Sequence, residues 1–315
     1  MISEHKPVLS NLVTKSLQIK QDGIYVDCTY GRGGHTKKIL DNLGNDGRII
    51  AIDRDQDAEE HAIENFSYDK RFIFERTNFS NVEEIVNKYF KTKKIDGIVI
   101  DLGVSSPQID NAERGFSFNH DGPLDMRMDK SLKTTAEYWI NNSSVSEIEK
   151  VLKDYGEEKY AKKIAKAIEE HKAEDKITST LQLSSIIKSI YPRNYKYKIN
   201  PATKTFQAIR IYINDELSEL NSVLNCSINI LKIGARLVVI SFHSLEDRIV
   251  KNFIKKHSSN KNLLSRLPIR DIEGNIELKE IKAPIRANSY EIDTNIRARS
   301  ARFRVAEKVW CYLSL

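Results

Sequence analysis

Ile24-Tyr25-Val26-Asp27-Cys28-Thr29-Tyr30-Gly31-Arg32-Gly33-Gly34-His35 is the stretch that decides the fold. Four residues suited to a buried strand end in a carboxylate, a glycine-rich turn follows, and a helical pattern through Lys37, Ile39 and Leu40 takes over. A strand that passes through glycines into a helix is the opening of a βαβ unit. Arg48-Ile49-Ile50-Ala51-Ile52-Asp53 is a second strand ending in an acid, and Phe72-Ile73-Phe74 is a third. Ile95-Asp96-Gly97-Ile98-Val99-Ile100-Asp101 is a fourth, again ending in an acid. Near-continuous apolar strands between helices predict an α/β protein with a parallel sheet covered on both faces.

From Pro107 to about Ala202 that rhythm stops and helical spacing replaces it. Ser146 to Glu149 reads as a capping box for a helix running to Gly156. A second helix is predicted over 157–172 and a third from Thr180 to before Pro192. Phe206, Ile209, Ile213, Leu217, Leu220 and Leu224 then mark one long amphipathic helix. Leu237 to Phe242 makes a fifth strand, a helix from Leu245 follows, and Phe303 to Leu313 supplies one or two last strands. The organisation expected is 1–108, an inserted helical segment 109–202, and 203–315 completing the first domain.

The chain has 315 residues, of which 40% are hydrophobic and 30% charged, enough to build a full core and too apolar for wholesale disorder. No stretch approaches the roughly 18 apolar residues of a membrane span, and Met1 to Pro7 does not resemble a signal peptide. Three separated cysteines, Cys28, Cys226 and Cys311, exclude a disulfide framework and a Cys-x-x-Cys zinc site. A reduced, cytoplasmic protein without a membrane partner is the expectation, and oligomeric state, homodimer included, stays open.

Ligands of open α/β sheets bind beyond the carboxyl ends of the strands, and four strand ends here carry unusual residues. The turn through Gly31, Gly33 and Gly34 allows close backbone approach; a tight strand-to-helix turn is the plain alternative. Thr36 occupies the third glycine position of the dinucleotide fingerprint, so a nucleoside without a pyrophosphate fits better. Asp53, 20 residues after Gly33, is placed to accept hydrogen bonds from both ribose hydroxyls, unless it caps the next helix. Asp101 opens a long Gly- and Ser-bearing loop through Ser105, Ser106 and Gln108 to Asp125 and Asp129. The spacing of Asp121, Asp125 and Asp129 matches no calcium loop, so no metal is expected. At Phe242-His243-Ser244-Leu245-Glu246-Asp247, Ser244 and Asp247 read as a capping box, which leaves His243 for a ligand.

Between Lys150 and Asn200 basic residues exceed acidic ones by 12 to 7, most of the net charge of +6. Arg193, Lys196, Lys198, Lys204 and Arg210 form an acid-free run interleaved with Tyr195, Tyr197 and Phe206. Arg297, Arg299, Arg302 and Arg304 crowd into eight residues. Both clusters suit an RNA backbone with unpaired bases. An ordinary solvated lysine face accounts for Lys159 to Lys172.

These motifs resemble the bacterial RsmH (MraW) family of 16S ribosomal RNA methyltransferases. The matching segments run in order from His5–Leu9 through Asp27–His35, Ile52–Asp55, Asp101–Asp110, Arg114–Phe118 and Leu124–Asp129. They continue at Tyr155–Glu158, Thr205–Ile211, Ser241–Arg248 and Arg299–Arg302. The resemblance implies a class I S-adenosylmethionine-dependent methyltransferase fold, Rossmann-like with a mostly parallel sheet and an inserted all-helical domain. It implies N4-methylation of a cytidine in the decoding centre of 16S rRNA within the small ribosomal subunit. It implies cofactor contacts at Gly33, Gly34, His35, Asp53, Phe79, Asp101 and Gln108. The chain departs from the family at Asn200, where a histidine often precedes Pro-Ala-Thr.

A sulfonium methyl is already activated, so a site must chiefly aim the nucleophile. The cytosine amino nitrogen is a poor nucleophile, and its hydrogens need acceptors. The Asp/Asn-Pro-Pro-aromatic motif of many amino methyltransferases is replaced here by Val104-Ser105-Ser106-Pro107. The candidate catalytic set is therefore Asp101, Ser105 and Ser106, with His243 or Asp125 nearby. A non-catalytic ribosome-assembly factor and a DNA amino-methyltransferase are the competing readings; a nicotinamide oxidoreductase fits least, given Thr36.

Overall fold

The computed structural model describes residues 7–91, 94–192, 199–258, 276–287 and 289–309. The elements in chain order begin α1 (Ser10–Leu17), β1 (Ile24–Asp27), α2 (Gly34–Leu40), β2 (Arg48–Asp53), α3 (Gln56–Phe66), β3 (Phe72–Arg76), α4 (Val82–Phe90) and β4 (Ile95–Asp101). Six helices follow: α5 (Ser106–Asp110), α6 (Ala136–Asn142), α7 (Val145–Asp154), α8 (Ala161–Glu174), α9 (Thr180–Ile190) and α10 (Ala202–Ile213). The chain closes with α11 (Glu216–Ile230), β5 (Leu231–Ser241), α12 (Ser244–Ser258), β6 (Leu278–Ile285), α13 (Ser289–Thr294) and β7 (Arg302–Lys308).

The chain divides into two compact units, one of Met1–Gly103 with Leu217–Leu315, the other of Val104–Glu216. The first holds one seven-stranded sheet in the order β3-β2-β1-β4-β5-β7-β6. Strands β1 to β5 pair in parallel, while β7 runs antiparallel to both β5 and β6. Side chains of a strand alternate between faces, and here both faces are apolar. Val26, Ile50, Ile52, Ile98, Ile100 and Val239 pack with Val82 and Ile85 of α4, Leu220 and Leu224 of α11, and Val250 and Ile254 of α12. Their strand neighbours Tyr25, Ile49, Val99, Val238 and Ile240 pack instead with Val13 and Leu17 of α1, Ile39 of α2, and Phe303 and Val305. Each such fully buried aliphatic side chain contributes roughly 1.5–3 kcal/mol. Two-sided burial is why these strands lack the polar–apolar alternation of a one-faced sheet.

The second unit is helical, with one isolated bridge between Pro123 and Ser179 and otherwise no named strand among its described residues. Trp139 and Ile140 of α6, Ile148 and Leu152 of α7, Ile164 and Ile168 of α8, Leu183 and Ile187 of α9 and Phe206 and Ile209 of α10 share one core with Leu124, Met126 and Met128.

Three expectations are corrected here. The long helix is two, α10 and α11, separated where Asp215 takes a left-handed backbone at φ 49°. Buried Asn214 ends α10 by donating to Met126 O and accepting from Met128 N–H, each at 2.7 Å. Phe206 and Ile209 thus serve the helical core, Leu220 and Leu224 the sheet core, and their common spacing across the break is fortuitous. The helical unit spans Val104–Glu216. The α7 capping box is Ser144 with Glu147, not one begun at Ser146. Glu157, at φ 48°, delays α8 to Ala161. α6, capped by Thr135, and the edge strand β6 had no clear signal in the sequence.

Candidate active site at the strand ends

The sheet order sets the carboxyl ends of β2, β1, β4 and β5 side by side, so Asp53, Asp27, Asp101 and the Ser241–His243 segment share one edge. After β1 the chain folds into the glycine turn. Gly31 and Gly33 lie at φ 54° and 69°, and a Cβ on Gly33 would stand 2.8 Å from the Tyr30 and Phe66 rings. Gly34 needs no special φ, but a Cβ there would meet Pro7 at 2.8 Å. Tyr30 is fixed from the other side, its hydroxyl 2.8 Å from His61 Nδ1.

The three acids play different parts. Asp27 is wholly buried and turned inward: its oxygens accept the Thr29 N–H at 3.2 Å and the Thr36 hydroxyl at 2.8 Å. It braces the turn, and burial raises its pKa. Thr29 in turn accepts the Asp101 N–H at 2.7 Å, tying the ends of β1 and β4 together. A hydroxyl two residues after a strand-end acid was the available signal for that link.

Asp53 accepts the Gly31 N–H at 2.8 Å on one oxygen and the Asp55 N–H at 3.0 Å on the other. The cap of α3 is Asp55, which accepts from Asp57 N–H, so Asp53 is not the helix cap. Burial pushes the Asp53 carboxyl up to about 6, against the two backbone donors.

Asp101 Oδ2 lies 3.2 Å from Nε2 of buried His35. Burial opposes the imidazolium, but the hydrogen bond and charge of Asp101, with the charge of Asp27, hold the His35 pKa above its ordinary value. Asp101 Oδ1 and His35 Nδ1 are both buried without a hydrogen-bond partner. Buried unpaired polar atoms are uncommon in folded proteins and mark a place for a ligand or water. Phe79 sits in a short 3-10 turn just past β3 and packs against the sheet core.

At the end of β5, His243 takes part in capping through one ring nitrogen, while its buried Nε2 has no hydrogen-bond partner. Its Nδ1 accepts the Glu246 N–H at 3.4 Å, and Glu246 accepts the N–H groups of Phe242 at 2.7 Å and His243 at 3.2 Å. Asp247, read from sequence as the capping partner, instead binds Arg304 Nε at 2.7 Å and Arg302 at 2.6 Å.

In the helical unit, Ser105 begins α5 and its N–H donates to Gln108 Oε1 at 2.9 Å, a capping role for Gln108; Ser106 is buried in the first turn. Asp125 accepts two 2.7 Å bonds from Arg127. Asp121 and Asp129 accept the Leu181 and Ser131 N–H groups, and among the described residues no three His, Cys, Asp or Glu gather as metal ligands. Buried Arg114 donates to the carbonyls of Arg127 and Met128 and so shapes the 124–129 loop. Asn200 accepts the Ala202 N–H at 3.0 Å at the start of α10.

Of the basic candidates, Arg193, Lys196 and Lys198 lie outside the described residues, as does the Arg297 side chain. Arg304 is buried against Asp247 and Glu280, and Arg210 forms a two-bond pair with Glu216 at 2.7 and 2.9 Å. Both hold the fold together. Lys204, in α10, donates to Glu157 O, while Arg299 is exposed and Arg302 half-buried. Cys28 and Cys226 are free thiols; Cys311 lies outside the described residues. No described helix is long and apolar enough to cross a membrane.

Strand order, antiparallel β7, glycine turn and strand-end acids together define a class I S-adenosylmethionine-dependent methyltransferase fold. The chain belongs to the MraW methylase family, whose profile matches residues 2–309. It is 48% identical over 305 residues to a Coxiella burnetii (strain Dugway 5J108-111) protein named Ribosomal RNA small subunit methyltransferase H, covering 97% of this chain and 99% of that one. Proteins of the same name from Caldicellulosiruptor saccharolyticus and Thioalkalivibrio sulfidiphilus are 48% and 45% identical, each over 97% of this chain and 99% and 97% of theirs.

Proposed function

We propose that this chain methylates N4 of a cytidine in the decoding centre of 16S rRNA, on the small ribosomal subunit in the cytoplasm, with S-adenosylmethionine as donor. The supporting observation is the strand-end pair of Asp53 and Asp101. One carboxylate is held by the glycine turn, and the other keeps a buried oxygen without a partner. Bound there, S-adenosylmethionine supplies a methyl group activated by the sulfonium. Asp53 accepts from the ribose hydroxyls, and Phe79 covers the adenine. Asp101, held by His35 and by the Thr29 hydroxyl on its N–H, accepts a hydrogen through Oδ1. Ser105 and Ser106, a few residues beyond Asp101, supply the remaining acceptors for the amino group. The target base leaves its stack to enter.

The relatives' shared name supports ribosomal RNA of the small subunit as the substrate class. The test is methyl transfer from labelled S-adenosylmethionine to small subunits from a strain lacking this protein, followed by nucleoside mass spectrometry. N4-methylated cytidine is the expected product. Label at another position, or none on subunits and naked rRNA despite cofactor binding, overturns the reading.

A further inference from the structure

We propose that the solvent face of α12 is a docking surface for the phosphate backbone of RNA. This inference rests on the RNA-substrate reading above and specifies where the sheet-bearing unit grips. Val250, Phe253 and Ile254 bury one side of α12 against the sheet. Past its first turn the exposed residues are Arg248, Lys251, Asn252, Lys255 and Lys256, with no acid among them. Residues three and four apart on a helix are neighbours, so these five run as one cationic stripe. An ordinary solvated lysine face mixes its charges with acids, as α8 does where Glu169 and Glu170 follow Lys166. A basic last turn suits the helix dipole, but Arg248 and Lys251 lie before that turn.

The two acids of α12 are both buried in its first turn. Glu246 accepts the N–H groups of Phe242 and His243, and Asp247 is held by Arg302 and Arg304. Beside α12, Glu277 bonds His257 at 2.8 Å, and Glu280 of β6 stands 3.4 Å from Arg304. α11, on the same face of the sheet, exposes Ser218, Asn221, Ser222, Asn225 and Asn229, none of them charged, and its Glu219 accepts from Asn78 and the Ser80 N–H. From Ser244 to Lys308 the sequence holds fifteen Arg and Lys against nine Asp and Glu, an excess equal to the +6 of the whole chain. α12 begins at the strand-end edge, three residues past β5, and β5 pairs with β4, which ends in Asp101. At 1.5 Å per residue the stripe reaches about 18 Å from there at Lys256. Phosphates seated along it lead towards the edge where Asp101 stands. Contacts to phosphates carry no sequence information, so the surface positions the RNA and does not select its sequence.

The test compares wild type with a Lys251→Gln, Lys255→Gln, Lys256→Gln variant in binding protein-free 16S rRNA between about 50 and 200 mM salt, the range over which phosphate contacts weaken most visibly. Glutamine keeps helix propensity, and a Lys→Arg variant at the same positions keeps the charge. Each lysine that neutralises a phosphate adds about 0.7 to the slope of log affinity against log salt, so removing three should lower it by about 2. The arginine variant should keep the wild-type slope, as should a control with Lys162, Lys163 and Lys166 of α8 changed to Gln. All four proteins should bind S-adenosylmethionine alike. An unchanged slope in the α12 glutamine variant, or an equal loss in the α8 control, overturns the proposal. So does a loss seen on intact small subunits but not on protein-free rRNA, which would assign the face to a ribosomal protein. Cytidine methylation by wild type alongside an unchanged slope would sink the α12 face alone. A reduced slope without cytidine methylation would sink only the reading of the reaction.

Discussion

His35 Nε2 and Asp101 Oδ2 stand 3.2 Å apart at the ends of two different elements, the first turn of α2 and the last residue of β4. Sixty-six residues separate them in the chain, and parallel pairing of β1 with β4 brings them together. The pairing raises the His35 pKa above 6.5 despite burial. A raised histidine pKa adds stability that is full below about pH 6.5 and is lost as pH rises through the folded value. Asp101→Asn should abolish that pH-dependent component. Melting temperatures measured from pH 6 to 9 should converge between wild type and variant at the alkaline end. A constant gap over the whole range would contradict the charged pair.

Asp53 titrates at about 6 because it is buried. Its ionised form is the better acceptor for ribose hydroxyls. Affinity for S-adenosylmethionine should therefore fall as pH drops through about 6 and level off above it. Asp53→Asn should flatten the profile between pH 5 and 7, and isothermal titration calorimetry measures both. Asp53→Ala should weaken binding about 10- to 100-fold, from hydrogen bonds to a charged group of about 1.5–3 kcal/mol.

Gly33 and Gly34 should fail for different reasons. Gly33→Ala imposes a left-handed backbone on a Cβ, about 1–2 kcal/mol, together with a clash against Tyr30 and Phe66. Gly34→Ala has no backbone penalty and meets only Pro7, so a Pro7→Ala partner mutation should recover part of its loss. Urea denaturation of the two singles and the Gly34/Pro7 double separates these cases; no recovery of stability in the double would refute the distinction.

The Arg304–Asp247 pair is 5% and 7% exposed at its side chains. Arg304→Ala removes one of the two guanidinium groups that hold buried Asp247, Arg302 being the other, and should cost about 1.5–3 kcal/mol. Because the pair is shielded from solvent, the loss should change little between 0.1 and 1 M salt. An apolar replacement of both residues should recover much of the stability in guanidinium melts.

Asn214→Ala removes the two 2.7 Å bonds that hold the Met126 and Met128 backbone. A buried donor and acceptor left unpaired cost about 1–3 kcal/mol each. Limited proteolysis should then cut near the 126–128 loop faster than in wild type, and unchanged cleavage would show that the loop holds without Asn214.

The local pattern alone determined a good deal of this protein. Continuous apolar strands ending in Asp27, Asp53 and Asp101, with glycines after the first, specified a parallel sheet and its ligand edge, because two-sided burial and left-handed turns leave direct marks on composition. Tertiary structure decided which charged and polar groups are spent on the fold. Arg210, Arg304, Asp125 and Gln108 looked like ligand-binding groups, yet each has an intramolecular partner. Spacing records that a residue is charged but not what faces it. The same limit hid the end of α10, where Asn214 meets a loop 86 residues away.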